Sequence, residues 1–315
     1  MPDTVALTIA LDSSYDHVKP LLDRAVKVEN CNAQFVTLKP GEMTKRAFDD
    51  PQFDVAELSI SQYVTRRIAG NCDFTILPIF FHRVFTHGML YVRPDGNIRT
   101  PQDLRGRRVG ITGYTSSANT WLRGMLNDEF DVKATEVTWV SVVQDAAGHP
   151  GAKAPPGISV DQVIAKDLVE ALDRGDIDAV GVSRPQTGPG ITRMIPDYEA
   201  REEESYRRTG VYPFNHLMAI RTSLAERHPW LSRALYKAFL ESKNRAFAAA
   251  GKEATPKVTR LRRMIGDDYL PYGLNGTNRK TLEAFVRYHF EQGMGPRRYG
   301  FDELFAPIPL SQYEV

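Results

Sequence analysis

The chain has 315 residues and a mass of 35.4 kDa, with 40 Lys and Arg against 39 Asp and Glu, a net charge of +1, 42% hydrophobic and 25% charged residues. Single hydrophobic cores usually stop growing near ~250–300 residues, so two domains are expected, and the balanced charge gives no argument for a nucleic-acid or membrane-surface partner. No run of roughly 18 apolar residues offers a membrane span, and Cys31 and Cys72, far apart and without a CxxC spacing, suit a reducing compartment and give neither a zinc nor a redox motif.

The opening MPDTVALTIALDSSYD has no basic n-region and carries Asp3, which reads as a cytoplasmic protein rather than an exported one. Thr4 to Leu11 is a β-rich run that ends at Asp12, Ser13 and Ser14. Tyr15 to Val28 sets Val18, Leu21, Leu22, Ala25 and Val28 at helical spacing and predicts a helix. Gln34 to Leu38 predicts a short strand, Pro40-Gly41 a turn and Met43 to Phe48 a short helix. A second strand, Phe53 to Ala56, ends in Glu57; Ser59 then has the side chain of a helix N-cap, and Ile60, Tyr63, Val64, Arg67 and Ile68 follow at helical spacing until Gly70. Phe74 to Phe81 is a further apolar run that delivers His82 and Arg83. One strand-helix-strand unit thus carries a carboxylate, an imidazole and a guanidinium at its strand ends, where open parallel α/β sheets form their ligand crevice.

His87 to Val92 predicts a strand closed by Arg93-Pro94-Asp95-Gly96, and Pro101 to Gly106 a polar connector into a strand at Arg108 to Thr112. Thr115, Ser116 and Ser117 then open a helix through Trp121, Leu122 and Met125. Unpaired backbone N–H groups and hydroxyls at such a helix start suit a carboxylate or phosphate. Thr135 to Val140 predicts a strand, Gln144 to Ser159 a surface loop or flap, Val163 to Leu172 an amphipathic helix, and Ile177 to Val182 a buried strand ending at Ser183-Arg184-Pro185. Gln186 to Gly190 forms no regular element, Tyr198 to Arg208 is helical, and Asn215 to Ile220 is a strand. Leu224 to Ala249, Val258 to Met264 and Arg279 to Phe290 are helical. Alternating strands and helices imply parallel pairing through right-handed crossovers. The expected organisation is a discontinuous lobe one, residues 1–100 and 212–315 with the C-terminal helices, and a lobe two, residues 101–211.

The connector PQDLRGRRVG (101–110) and its Thr/Ser-rich helix start resemble the domain crossing of the type 2 periplasmic-binding fold. FDVAELSISQYV (53–64), PIFFHRVFTHGMLYV (78–92) and DLRGRRVGITGYTSSANTWLRGML (103–126) resemble 4,5-dihydroxyphthalate decarboxylases, a cytoplasmic branch of that fold, and the similarity runs from Thr4 to about Phe305. The resemblance implies an α/β, two-lobed periplasmic-binding-protein-like fold with two interlobe crossings and a helical C-terminal part. It also implies non-oxidative, cofactor-independent removal of one carboxylate from 4,5-dihydroxyphthalate, giving protocatechuate and carbon dioxide in aromatic catabolism. The partner would be a small aromatic carboxylate, with no cofactor, metal, nucleic acid or membrane; homo-oligomeric assembly is left open. Proteins of this fold also include solute receptors and cofactor-precursor synthases, so a non-catalytic binding protein for an aromatic or organic anion and a synthase stay as alternatives.

Such a decarboxylation, in a cleft between the lobes, asks for a proton donor to the ring carbon, a partner for the phenol and holders for the carboxylates. A histidine suits the donor because it titrates near ambient pH. His82 is the first candidate, with Glu57 or Asp12 orienting it or accepting a phenolic proton; on the structural reading His82 only hydrogen-bonds within its loop. Arg83 and Arg184 are candidate carboxylate clamps, or surface ion-pair partners. Ser59, Thr115, Ser116 and Ser117 are candidate ligand contacts. Tyr114 and Trp139 either stack on an aromatic ligand or belong to the core, His216 either faces the cleft or packs inward, and His17, at a helix start, is expected at the surface. The chain lacks HExxH, GxGxxG, P-loop and GxSxG patterns. An ion held by Asp12, Glu57 and His82 has no further support in the sequence.

Overall fold

The structure, a computed structural model, describes residues 4–49, 52–143, 154–250 and 255–313. Its strands in chain order are β1 (Val5–Leu11), β2 (Cys31–Thr37), β3 (Val55–Ser59), β4 (Phe74–Arg83), β5 (Leu90–Val92), β6 (Arg108–Ile111), β7 (Thr138–Val143), β8 (Ser159–Ile164), β9 (Ala179–Gly181), β10 (Thr192–Arg193) and β11 (Phe214–Arg221). The α-helices are α1 (Lys19–Leu22), α2 (Pro40–Asp49), α3 (Ile60–Ile68), α4 (Ser117–Phe130), α5 (Leu168–Asp173), α6 (Tyr198–Thr209), α7 (Thr222–Arg227), α8 (Leu231–Ala250), α9 (Pro256–Ile265), α10 (Gly276–Glu291) and α11 (Phe301–Phe305). Contacts divide the chain into a first unit, Met1–Arg83 with Phe214–Lys280 and Tyr299–Val315, and a second, Val84–Pro213 with Thr281–Arg298.

The first unit is built on a sheet of order β2-β1-β3-β11-β4. Strands β1, β2 and β3 run parallel, while β11 lies antiparallel to both β3 and β4. The carboxyl ends of β1, β3 and β4 therefore meet the amino end of β11 at one edge. Ile9, Ala10, Val55, Ala56, Leu58, Leu217 and Ala219 are fully buried, as expected of strands covered on both faces. The β4 ladder slips between Leu217↔Phe80 and Ala219↔Ile76, where Pro78 has no N–H to give; the Pro78 carbonyl instead accepts the Gly273 N–H at 2.8 Å. Helix α3 begins after Ser59, whose backbone is extended (φ −62°, ψ 126°), and Gly70 at φ 72° supplies the left-handed residue that stops it.

The second unit has a sheet of order β10-β5-β9-β6-β7-β8, with β9, β6, β7 and β8 parallel and β5 and β10 added antiparallel at one side. Its core joins Leu90, Val109 and Ile111 to Leu122 and Leu126 of α4 and to Trp139. Ser116 caps α4 by accepting the Asn119 N–H at 3.3 Å, and Asp131 at φ 54° closes it.

Several expectations differ from the structure. Tyr15–Val28 is not one helix: a short 3-10 turn, Asp16–Val18, leads into α1, and Arg24 at φ 59° ends it as the Val26 N–H returns to the Pro20 carbonyl at 2.8 Å. Ala25 is then exposed while Val26 and Val28 are buried, so the apparent helical spacing of Ala25 and Val28 belongs to a segment of turns and bends. Residues 163–172 are not one helix either. Ser159–Ile164 alternates and pairs parallel with β7, and α5 starts at Asp167, whose side chain accepts the Val169 and Glu170 N–H groups at 3.0 and 2.9 Å. Leu90–Val92 pairs with β9, in the sheet of the second unit, whereas the sequence carries lobe one to residue 100. The part of α10 from Thr281 onward also groups with the second unit, not with the other C-terminal helices. Of the flap expected at 144–159, residues 144–153 lie outside the described residues.

The Asp167 cap makes a local prediction. Asp167→Ala should cost about 1 kcal/mol and raise the hydrogen-exchange rates of the Val169 and Glu170 amides in particular; unchanged exchange at those two amides would show that the cap contributes nothing.

Candidate active site

Glu57 is the central residue of β3, with its side chain 0% exposed. The antiparallel register pairs Met218 with Glu57 and His216 with Ser59, so Glu57 and His216 are diagonal neighbours on one face of the sheet. The Glu57 carboxylate uses that neighbour: His216 Nδ1 lies 2.8 Å from Oε1. The Tyr15 hydroxyl donates to the same Oε1 at 2.9 Å, and the Asp12 N–H donates to Oε2 at 3.0 Å. A buried carboxylate thus has three donors, from the end of β1, the turn after it and the start of β11.

His82 lies beside this group, its ring stacked on His216 with centroids 5.4 Å apart. Its Nδ1 is 3.1 Å from the Asn215 side-chain amide. Its backbone is left-handed, φ 51°, an uncommon conformation for a residue with a Cβ. Surrounding protein and the nearby His216 lower its pKa to about 4. The ring is nonetheless exposed, and open water moderates that loss of hydration. Asp12 completes the edge: its Oδ1 accepts the Ser14 N–H at 2.8 Å, which fixes the turn leading to Tyr15.

The structure therefore brings Asp12, Glu57, Ser59, His82 and His216 to one edge of the first sheet. Glu57 orients His216 and not His82, the partner expected from the sequence, because β11 intervenes between β3 and β4 in the sheet order. Arg83 is not a clamp at this edge. It is 7% exposed, its Nη2 donates to the Pro271 carbonyl at 2.9 Å and to Asn278 Oδ1 at 2.5 Å, and it stacks against Phe80 and Phe214. The alternation of the strand turns Arg83 inward where it leaves His82 exposed. His17 is also buried rather than at the surface, in a stack with Tyr15 and Phe81.

In the second unit, β6 and β9 run parallel and adjacent, so Thr115, Ser116 and Ser117 after β6 and Arg184 after β9 follow strand ends on one edge. Thr115 and Arg184 are exposed, and Ser117 is buried. Tyr114 is 2% exposed and turned inward: its hydroxyl donates to the Gln292 carbonyl at 3.0 Å and the Arg123 guanidinium lies 3.8 Å from its ring centroid. Trp139 is a core residue whose indole N–H donates to the Ala134 carbonyl at 2.9 Å. Neither ring is a stacking surface for a ligand. Sequence reasoning passed over Tyr15 and Asn215; the signal for Tyr15 was its place in the turn after Asp12, and Asn215 only becomes visible once β11 pairs with β4. Among the described residues no group of three His, Cys, Asp or Glu side chains is placed to hold a metal ion, and no helix is long and apolar enough to cross a membrane.

Two sheets of this topology, each with ligand-type residues at its parallel strand ends, define the type 2 periplasmic-binding-protein-like class. The aliphatic sulphonate binding protein SsuA from Escherichia coli has this fold, at a TM-score of 0.59 and 14% identity over 97% of this chain and 98% of its own. The profile of the NMT1/THI5-like family matches residues 81–152. Closer in sequence are two 4,5-dihydroxyphthalate decarboxylases. That from Comamonas testosteroni is 32% identical over 98% of this chain and 98% of its own length; that from Pseudomonas putida is 30% identical over 64% of this chain and 81% of its own. The chain belongs to the 4,5-dihydroxyphthalate decarboxylase family.

The burial of His17 has a measurable cost in acid. Burial, and next the Lys243 ammonium, lower its pKa to about 4, and its Nε2 has no hydrogen-bond partner among the described residues. An unfolded histidine takes its proton near pH ~6.5 and the folded one only near the lower value, so the stability His17 allows is complete above ~6.5 and is lost as pH falls toward the folded value, to a limit of about 3 kcal/mol. His17→Phe, which keeps the ring stack, should leave unfolding free energy at pH 7 within about 1 kcal/mol and flatten its decline between pH 6.5 and 4. An equally steep decline in the variant would assign the acid sensitivity elsewhere.

Proposed function

We propose that the chain decarboxylates 4,5-dihydroxyphthalate to protocatechuate and carbon dioxide, with the Glu57–His216 pair as the proton-delivering unit. Support comes from family membership over nearly the whole chain and, in the site itself, from the 2.8 Å contact between Glu57 Oε1 and His216 Nδ1. A carboxylate on Nδ1 fixes the tautomer and turns Nε2 outward as the nitrogen that exchanges a proton with a ligand.

In this substrate each carboxyl carbon lies para to a ring hydroxyl. Electron density from that oxygen raises the basicity of the ring carbon bearing the carboxylate. His216 gives its Nε2 proton to that carbon, a C–H bond forms, and the bond to the carboxylate then breaks with its electron pair returning to the ring. Carbon dioxide leaves, one proton is consumed per turnover, and water restores it to His216. The two carboxylates are equivalent by symmetry, so loss of either gives one product. His82, held by the Asn215 amide and with its pKa lowered by the surrounding protein and by His216, serves as a neutral hydrogen-bond partner for the ring hydroxyl, and the proton-donor role expected of it is given to His216. Asp12 is the carboxylate that accepts the phenolic proton and returns it as carbon dioxide leaves and the ring regains aromaticity, and Ser59, opposite His216 in the ladder, contacts the ring substituents. In the second unit, Thr115, Ser116, Ser117 and Arg184 are the candidate carboxylate contacts at that unit's own strand-end edge, through hydroxyls, helix-start N–H groups and a guanidinium.

The primary test incubates metal-stripped protein with 4,5-dihydroxyphthalate and follows carbon dioxide and protocatechuate. Tight binding without turnover would replace the enzyme by an anion-binding protein. His216→Asn should lower kcat about 10²-fold or more, the usual contribution of a positioned proton donor. In the wild type the acid limb of kcat/KM should lie below the ordinary histidine value of ~6.5, because His82 works as the neutral imidazole, and His82→Gln should remove that limb. A limb unmoved by His82→Gln sinks the role given to His82. Arg184→Ala should raise KM about tenfold with kcat little changed; unchanged KM would leave Arg184 as a surface charge.

A further inference from the structure

Resting on that reading of Glu57 and His216, the geometry points to Tyr15 as a positioning residue that fixes the Glu57 carboxylate and, through it, the tautomer of His216. The Tyr15 hydroxyl and His216 Nδ1 share one acceptor, Glu57 Oε1, at 2.9 and 2.8 Å, and lie 3.5 Å from each other. The other oxygen is held by the backbone N–H of Asp12 at 3.0 Å. Tyr15 is therefore the side-chain donor that keeps Oε1 aimed at the histidine, since the Asp12 N–H holds Oε2 alone.

Three further observations make the phenol a fixed donor. Its ring stacks on Phe81, with centroids 5.5 Å apart and planes 12° from parallel, and on His17, at 5.2 Å and 22°. The turn that carries it is closed by the Asp12 to Ser14 hydrogen bond. Burial, and then the Glu57 charge, raise its pKa far above the ordinary tyrosine value, so it keeps its proton throughout the working range. A ring packed against two aromatic neighbours that also pack on each other loses little further freedom on making the hydrogen bond, so Tyr15 costs little entropy as an orienting group. Without that donor, Glu57 keeps only the Asp12 N–H on Oε2 and the imidazole itself on Oε1, so the carboxylate is less firmly aimed and neutral His216 divides between its Nδ1–H and Nε2–H forms.

The test uses the full chain with histidines labelled with nitrogen-15, in the absence of ligand, and Tyr15→Phe, which preserves the ring stack. The wild type should show His216, assigned by comparison with His216→Asn, as a single Nδ1–H tautomer once neutral. Tyr15→Phe should show a mixture, and its kcat should fall about tenfold with KM within about threefold of wild type. Combined with Glu57→Gln, the loss should be non-additive, because both variants remove the same restraint. A retained single tautomer in Tyr15→Phe, or additive losses, would overturn the assignment. The spectrum needs no substrate, so a wild type that fails to turn over ends the decarboxylase reading while the tautomer still decides the role of Tyr15. If Tyr15→Phe fails to fold, 3-fluorotyrosine at position 15 takes its place: the more acidic phenol should shift the His216 Nδ1 resonance, and an unmoved resonance would equally reject the proposal.

Discussion

A carboxylate taken fully out of water must be surrounded by donors or give up its charge, since an unpaired buried ion costs several kcal/mol. Glu57 meets that condition with groups from three separate places in the chain, and the edge of the first sheet is arranged around it. The parallel pairing of β1 with β3 presents the Asp12 N–H; the turn after β1 presents Tyr15; antiparallel β11 presents His216. If β11 were shifted by one residue, its side chains would exchange faces and His216 would leave Glu57 without its imidazole. The buried charge thus acts as a check on strand register as well as a part of the chemistry.

The second unit handles a buried charge differently. Arg123, 1% exposed, gives its Nε–H to Gln292 Oε1 at 2.7 Å and an Nη2–H to the Tyr114 carbonyl at 2.6 Å, and lies over the Tyr114 ring. These acceptors are neutral, and burial lowers its pKa to about 10. The arrangement ties the residue before the Thr115–Ser117 segment to α4 and α10. It also explains why Tyr114, whose neighbours in sequence look like ligand contacts, is committed to the interior.

Much of this architecture was legible along the chain because it is local. Strand runs such as Val5–Leu11 and Phe74–Arg83 and the start of α4 at Ser116 are written in apolar runs, helical spacing and capping side chains. Glu57 and His82 were recognisable as polar residues closing apolar runs, though Glu57 lies in the middle of β3. Their partners were not, because the Glu57–His216 contact joins residues 159 apart and depends on the position of β11 between β3 and β4. Inward and outward orientation at strand ends was equally hidden: His82 and Arg83 are consecutive, and only the pleat and the Pro271 carbonyl decide which one is buried. The misread helix at Tyr15–Val28 hid Tyr15 for a related reason, since a regular helix would have placed it on a face rather than in a turn against Glu57.

That same pair of neighbours limits how the edge can vary in evolution. Arg83 is anchored to the Pro271 carbonyl and Asn278, and the preceding residue is held at φ 51°, a backbone conformation that β-branched side chains resist and that glycine, asparagine and aspartate accept most easily. Position 82 is therefore open to a narrow alphabet. Lineages of this fold that acquire a different chemistry at this edge can replace the imidazole cheaply by a short amide or carboxylate, whereas valine, isoleucine or threonine there would first require the anchor at Arg83 to be rebuilt.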